Sequence, residues 1–181
     1  ALELKPQVAF YEQMGIPGME TYQATCEEAK KRDLLVIGDI KRGDVPGTAK
    51  AYADAHTSAF ACDAITVNPY FGTDGMEPFL KAAVKTGSGL FVLVKTSNPS
   101  SKEIQDLPVE GKPLHLHIAE MTLRWGKEVP GNANYSSVGA VVGATHPEEA
   151  ARIRSTMPGT FFLVPGYGAQ GGGAEDIRVC F

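Results

Sequence analysis

No apolar run among the 181 residues approaches the roughly 18 to 20 needed to cross a bilayer, so no membrane-spanning helix is expected. Cysteine is scarce: Cys26, Cys62 and Cys180 are odd in number and widely spaced. No pair has the short spacing of a zinc or dithiol site, and the expectation is buried or semi-buried free thiols of a reducing cytoplasm. Positive charge is not in excess. A formal net charge of -4 leaves no electrostatic footprint for a nucleic-acid polymer or an anionic membrane. It is compatible with a local cationic pocket for a small phosphorylated molecule. The opening ALELKPQVAF lacks the layout of a secretory signal. Neither an internal repeat nor a domain linker is visible.

What is present is a globular composition, 43% hydrophobic and 21% charged, in a chain of single-domain size. Strand-like apolar runs alternate with helical stripes. Leu34–Asp39 is a short apolar run suited to a strand covered on both faces. Met19, Tyr22, Cys26 and Ala29 before it, and Ala49, Tyr52, Ala53, His56 and Phe60 after it, fall at helical spacing. Strands are expected near Ala64–Val67, Leu90–Lys95, Val138–Val142 and Phe161–Val164. Helices are expected near Met76–Lys85, around Leu114, Ile118, Met121 and Trp125, over Pro147–Ser155, and from Ala174 onward. Such alternation means parallel strands joined by right-handed crossovers. Counting LELK gives about six strands, against the eight strands and about 250 residues of a closed barrel. Periodicity alone therefore leaves an open doubly wound sheet and a (β/α)8 barrel both standing. Ser97–Lys112 has no regular periodicity, and a loop of that length is more often functional than decorative.

Charge concentrates in Asp39-Ile-Lys41-Arg-Gly-Asp44. Asp39 and Lys41 are two apart at a strand end and so share a face. The carboxyl ends of parallel strands are where active sites form. Gly43 allows a turn that returns Asp44 to the same neighbourhood. The plain alternative is a solvated loop with an incidental ion pair, and the Arg42-Gly43-Asp44 tripeptide is too short to signify adhesion. A second constellation, Pro165-Gly-Tyr-Gly-Ala-Gln170-Gly-Gly-Gly173, precedes Glu175 and Asp176 at a helix start. Closely spaced glycine amides and a helix N-terminus suit an anion. Gly166, Gly168 and Gly171 satisfy G-x-G-x-x-G formally, but no strand with a ribose-binding acid follows, which favours a single phosphate over a dinucleotide. His115 and His117 are two apart on a helix and do not face each other, so a surface or partly buried pair is expected rather than a metal site. Trp125 is read as core, and Glu27–Arg32 as a solvated helix face.

Five segments in order, Lys5–Phe10, Asp39–Asp44 with Thr48–Ala53, Asn68–Gly72, Lys95–Pro99 and Pro165–Gly172, resemble the orotidine 5′-phosphate decarboxylases, in particular a bacterial subgroup with Arg-Gly inside D-x-K-x-x-D. The resemblance implies a (β/α)8 barrel working as a homodimer. It implies that residues 1–181 are one barrel domain, with the family's first and last strands outside it. It further implies that Lys5, Asp39, Lys41 and Asp44 form an alternating charge array, with Asp44 lent by the second subunit and Lys41 the general acid. Val45 would line the site, Thr48 would contact the ribose across the dimer, and Ser97 would hydrogen-bond the pyrimidine. Gln170 and Gly171 would hold the phosphate, with Asn68, Pro165 and Gly166 in the binding set. The substrate would be a nucleotide, with no cofactor and no metal. The competing readings are a magnesium-dependent sugar-phosphate decarboxylase or aldolase of the same superfamily, and a non-catalytic phosphate-binding fragment.

Overall fold

The computed structural model describes residues 2–129, 131, 135–168 and 173–181. The chain divides into two compact units, Ala1–Leu90 and Phe91–Phe181.

In the first unit, β1 (Glu3–Leu4) is followed by the short helix α1 (Ala9–Glu12) and by α2 (Ile16–Lys31). Helix α2 buries Gly18, Tyr22, Cys26 and Ala29, a stripe at 3–4-residue spacing. It ends in Lys30 and Lys31, whose charge suits the negative end of the helix dipole. Strand β2 (Leu35–Arg42) pairs in parallel with β1 on one side and with β3 (Ala64–Val67) on the other. Residues Val36 to Ile40 are all buried, as a strand covered on both faces requires. The strand extends three residues beyond Asp39, where the apolar run ends, because the ladder continues through an irregularity between Gly38 and Arg42. Lys41 sits in that bulge with φ 50°, a left-handed conformation uncommon for a side-chain-bearing residue.

Between β2 and β3, α3 (Pro46–Asp54) passes into a π-helical turn over Ala55–Ala59. The expected single α-helical stripe from Ala49 to Phe60 is thus widened at its end. The Phe60 amide bonds Ala55 O, five residues back, at 2.8 Å. A 3₁₀ turn over Pro69–Phe71 leads into α4 (Gly72–Thr86), which buries Met76, Phe79, Leu80 and Ala83. Met76, Phe79 and Leu80 each contribute about 1.5–3 kcal/mol on full burial.

The second unit contains all but the first two residues of β4 (Gly89–Lys95), next to β7 (Val138–Val142), which pairs in parallel with β8 (Phe162–Leu163). Every residue of β7 is buried. The segment expected as a loop, Ser97–Lys112, is built rather than irregular. It holds a 3₁₀ turn at Pro99–Ser101, the helix α5 (Lys102–Gln105), and a hairpin of β5 (Pro108–Val109) with β6 (Lys112–Pro113). Glu110 and Gly111, at φ 51° and 79°, form the two-residue connection with the positive φ values that tight hairpins demand. Helices α6 (Leu114–Gly126) and α7 (Pro147–Thr156) pack Ala119, Ala150 and Ile153 with Val94, Ala140, Val142 and Met157. Trp125 is buried, as expected of core. The last element is α8 (Ala174–Arg178).

All three cysteines are free and buried. Glu28 pairs with Arg32 on the outer side of α2, consistent with a solvated face. Among the described residues, no helix is long and apolar enough to cross a membrane.

Candidate active site

Asp39 is the hub of the first unit's charged cluster. Its side chain is 8% exposed, and a carboxylate so placed must be paired and hydrogen-bonded. Lys5, just after β1, donates to Oδ2 at 3.0 Å, and Gln7 donates to the same oxygen at 3.0 Å. Lys41 pairs with Oδ1, and the Thr66 hydroxyl of β3 donates to Oδ1 at 3.0 Å. The backbone joins the segments as well: the Asp39 amide bonds Pro6 O at 3.0 Å, and the Val8 amide bonds Asp39 O at 3.3 Å. Thr66 has a second task, accepting the Lys41 amide at 2.9 Å. One hydroxyl therefore fixes both the carboxylate and the strained backbone of its lysine partner.

Gln7 and Thr66 were not singled out from the sequence. A hydroxyl inside the otherwise apolar strand Ala64–Val67 was the available signal, since a buried donor needs an acceptor.

Burial pushes the Asp39 carboxyl up, but the hydrogen bonds and charges of Lys41 and Lys5 outweigh it and hold the group below the usual carboxylate range. A depressed folded pKa gives stability that is present above the unfolded value near 4 and lost as pH falls through the folded value. The melting temperature is therefore expected to drop as pH falls below about 4. An Asp39→Asn variant should show a shallower acid limb in melts run from pH 7 to 3. An identical limb would remove Asp39 from the effect.

Asp44 follows on the turn after β2. Gly43 makes that turn feasible: a Cβ there would lie 2.5 Å from Asn68 O, while the Asn68 amide bonds Arg42 O at 2.7 Å. Asn68 itself caps the 3₁₀ turn, its Oδ1 accepting the Tyr70 amide at 3.1 Å. Gly75 of α4 lies as close, with a Cβ position 2.8 Å from Asp44 O. The Asp44 carboxylate accepts the Val45 amide at 2.7 Å; among the described residues it makes no ion pair with Lys5 or Lys41. Val45 and Thr48, at the start of α3, are exposed.

The remaining predicted residues belong to the second unit. Ser97 follows β4; its carbonyl accepts the Thr145 hydroxyl at 2.8 Å. Gly143 packs so tightly that a Cβ would stand 2.8 Å from Ser97 Cα. Pro165 O accepts the Ala144 amide at 2.9 Å, and Gly166 and Gly168 hold φ of 94° and 77°, where only glycine is unstrained. Gln170 and Gly171 lie outside the described residues. Asp176 accepts the Gly173 amide at 2.8 Å, so the first amide before α8 is committed to a side chain. His115 is buried, not at the surface; it bonds Gln105 O and Asp106, while His117 bonds Val109 O.

Parallel strands with a lysine–carboxylate array at a strand's carboxyl end define an α/β fold of the kind that places chemistry at that end. The sequence profile described as orotidine 5′-phosphate decarboxylase / HUMPS family matches residues 1–179, and the chain belongs to that family. It is 49% identical over 185 residues to an orotidine 5′-phosphate decarboxylase of Caldicellulosiruptor bescii, covering 97% of this chain and 61% of that protein. To its counterpart from Caldicellulosiruptor saccharolyticus the identity is 48%, with the same coverage. The solved structure of Leishmania donovani UMP synthase superposes with a TM-score of 0.86 at 38% identity, over 96% of this chain and 37% of that one. The chain thus spans 61% of the length of these curated relatives. Its fold class is the α/β barrel class expected from the resemblance.

Proposed function

We propose that the protein decarboxylates orotidine 5′-monophosphate to uridine 5′-monophosphate, in the cytoplasm and without a cofactor. The observation that carries the reading is Asp39 clamped between the ammonium groups of Lys5 and Lys41 in the carboxyl-terminal half of β2. In the proposed step the bond between pyrimidine C6 and the carboxylate breaks, CO2 leaves, and the electron pair stays on C6. The Lys41 ammonium stabilises that carbanion and then protonates it, and Lys41 is reprotonated from solvent. Asp39 faces the departing carboxylate, and their repulsion is relieved as neutral CO2 forms. Two unit charges about 4 Å apart at an effective dielectric of 20 interact by about 4 kcal/mol, or roughly three powers of ten in rate. Enzymatic accelerations run well beyond that. Carbanion stabilisation by Lys41 and remote binding energy from the phosphate supply the rest.

The same reading gives Ser97 the pyrimidine, and Gly166, Gln170 and Gly171 the phosphate, with Pro165 and Asn68 also in the binding set. Thr48 and Asp44 serve the neighbouring subunit of a homodimer, with Val45 beside them. Two observations support this last point. Among the described residues the Asp44 carboxylate accepts the Val45 amide and makes no ion pair with Lys5 or Lys41, and Val45, Tyr70 and Phe71 near it expose apolar surface. Both Asp39 oxygens are already committed to cationic and neutral donors, which argues against Asp39 as a ligand for the divalent ion of a magnesium-dependent reaction.

The deciding experiment follows the loss of orotate-ring ultraviolet absorbance with EDTA present. Turnover at an unchanged rate under chelation is expected. No turnover by the intact protein would overturn the proposal, and turnover that EDTA abolishes would favour the metal-dependent reading.

A further inference from the structure

Lys95 closes β4 with no exposed surface at all. A buried ammonium must be matched by a charge or it neutralises. Its Nζ lies 2.6 Å from Asp106 Oδ1, eleven residues further on, just after α5. The ion pair therefore ties the two ends of the segment that begins with Thr96 and Ser97. Gln105 doubles the tie: its Oε1 accepts the Thr96 amide at 3.0 Å, and its Nε2 donates to the Thr96 hydroxyl at 2.8 Å. His115, buried in the first turn of α6, stands behind both, with Nδ1 2.9 Å from Gln105 O and 3.0 Å from Asp106 Oδ1. Both partners of Nδ1 are oxygen acceptors, so Nδ1–H is the shared donor, and burial pushes the His115 imidazole down from its ordinary pKa. From the other side, Ser97 is held by Thr145 and by the close approach of Gly143.

We infer that Lys95, Asp106 and His115 are positioning residues for the segment that presents Ser97, and that they set affinity for the pyrimidine ring and not for the ribose phosphate. The inference rests on the proposed function, which gives Ser97 the pyrimidine. Lys95 does not touch the substrate itself, because its ammonium is fully enclosed. Its effect passes through the geometry of Thr96 and Ser97. A side chain whose backbone is anchored from both sides, here at Thr96 and at the Ser97 carbonyl, meets its ligand with less ordering cost than one on a free loop.

The test compares equilibrium binding of uridine 5′-monophosphate and of ribose 5-phosphate, which lacks the base, in the intact wild-type protein and in Lys95→Met and Asp106→Asn. Expected is a loss of about tenfold or more for the nucleotide, with ribose 5-phosphate within about twofold. KM for orotidine 5′-monophosphate should rise by the same factor as the nucleotide affinity falls. Equal weakening of both ligands would mean a general structural role and would overturn the inference, as would no change in either. If Lys95→Met does not fold, Asp106→Asn carries the test, since Asp106 is 32% exposed and asparagine retains an acceptor for His115. Turnover by the wild-type protein together with variants that lack this split sinks the inference alone. Wild-type protein that neither turns it over nor binds the nucleotide sinks the functional reading, and the inference with it.

Discussion

Lys41→Ala is expected to lower kcat for decarboxylation by about four powers of ten or more while the protein remains folded. A positioned general acid contributes about 10²–10⁴, and a cation aimed at developing negative charge about 10²–10³ more. In the proposed mechanism one ammonium supplies both. Its side chain is 42% exposed, so truncation opens no core cavity, and Lys5, Gln7 and Thr66 still satisfy Asp39. Melting temperature should therefore shift by a few degrees at most, and nucleotide binding should persist. Absorbance-followed initial rates, alongside a thermal melt and a titration with uridine 5′-monophosphate, separate the two effects. A kcat within tenfold of wild type would remove Lys41 from the proton-transfer step.

Asp39→Ala should combine a catalytic and a structural loss. The carboxylate is the common acceptor of four side chains, two of them cationic. Removing it leaves Lys5 and Lys41 facing each other and strips the buried Thr66 hydroxyl of its acceptor. Breaking a fully buried ion pair costs about 3–5 kcal/mol. Both lysines are about two-fifths exposed and can rehydrate, so about 3 kcal/mol is expected. In a chain of this size that lowers the melting temperature by about 6–12 °C. Asp39→Asn keeps the shape and one of the two acceptor oxygens and should melt closer to wild type than Asp39→Ala does, yet lose about three powers of ten in kcat/KM with the like-charge repulsion. If Asp39→Asn retains nearly full kcat/KM, substrate repulsion by Asp39 is refuted and its role reduces to holding the lysines.

The residues to which this chemistry is proposed to belong were legible where a local period or spacing encoded them. Apolar runs placed β2, β3, β4 and β7, and the 3–4-residue stripe placed α2, because burial pattern is a one-dimensional property of the chain. Asp39 and Lys41 stood out as charge at a strand end. What pattern did not encode is how they meet. Regular alternation predicted a shared face, whereas Lys41 reaches Asp39 out of a bulge at φ 50° that depends on Thr66 from another strand. Gln7 and Thr66 acquire their roles only once β2 is in register with its neighbours. Lys95 is the sharper case: at the end of an apolar run it resembles a solvent-facing lysine, and only the fold brings Asp106 and His115 to bury it. The segment 97–112 showed no period because its elements are too short, four residues or fewer, to express one.

The contacts at Gly43 and Gly75 also bear on how this site could change or be moved. The turn after β2, the turn after β3 and the start of α4 interlock at backbone level: Gly43 rests on Asn68 O, and Gly75 on Asp44 O. Side chains of the array can be exchanged one at a time, but its backbone cannot be altered at one of these places alone. A larger residue at 43 requires position 68 to retreat, and a shift at 68 carries α4 with it. In evolutionary terms the three segments form one inherited block, in which single substitutions are blocked and compensated pairs are the open route. For an engineer transplanting the array onto another barrel, the smallest graft that keeps its shape runs from β2 through the first turn of α4, and the Asp39–Asp44 motif alone would not hold its form.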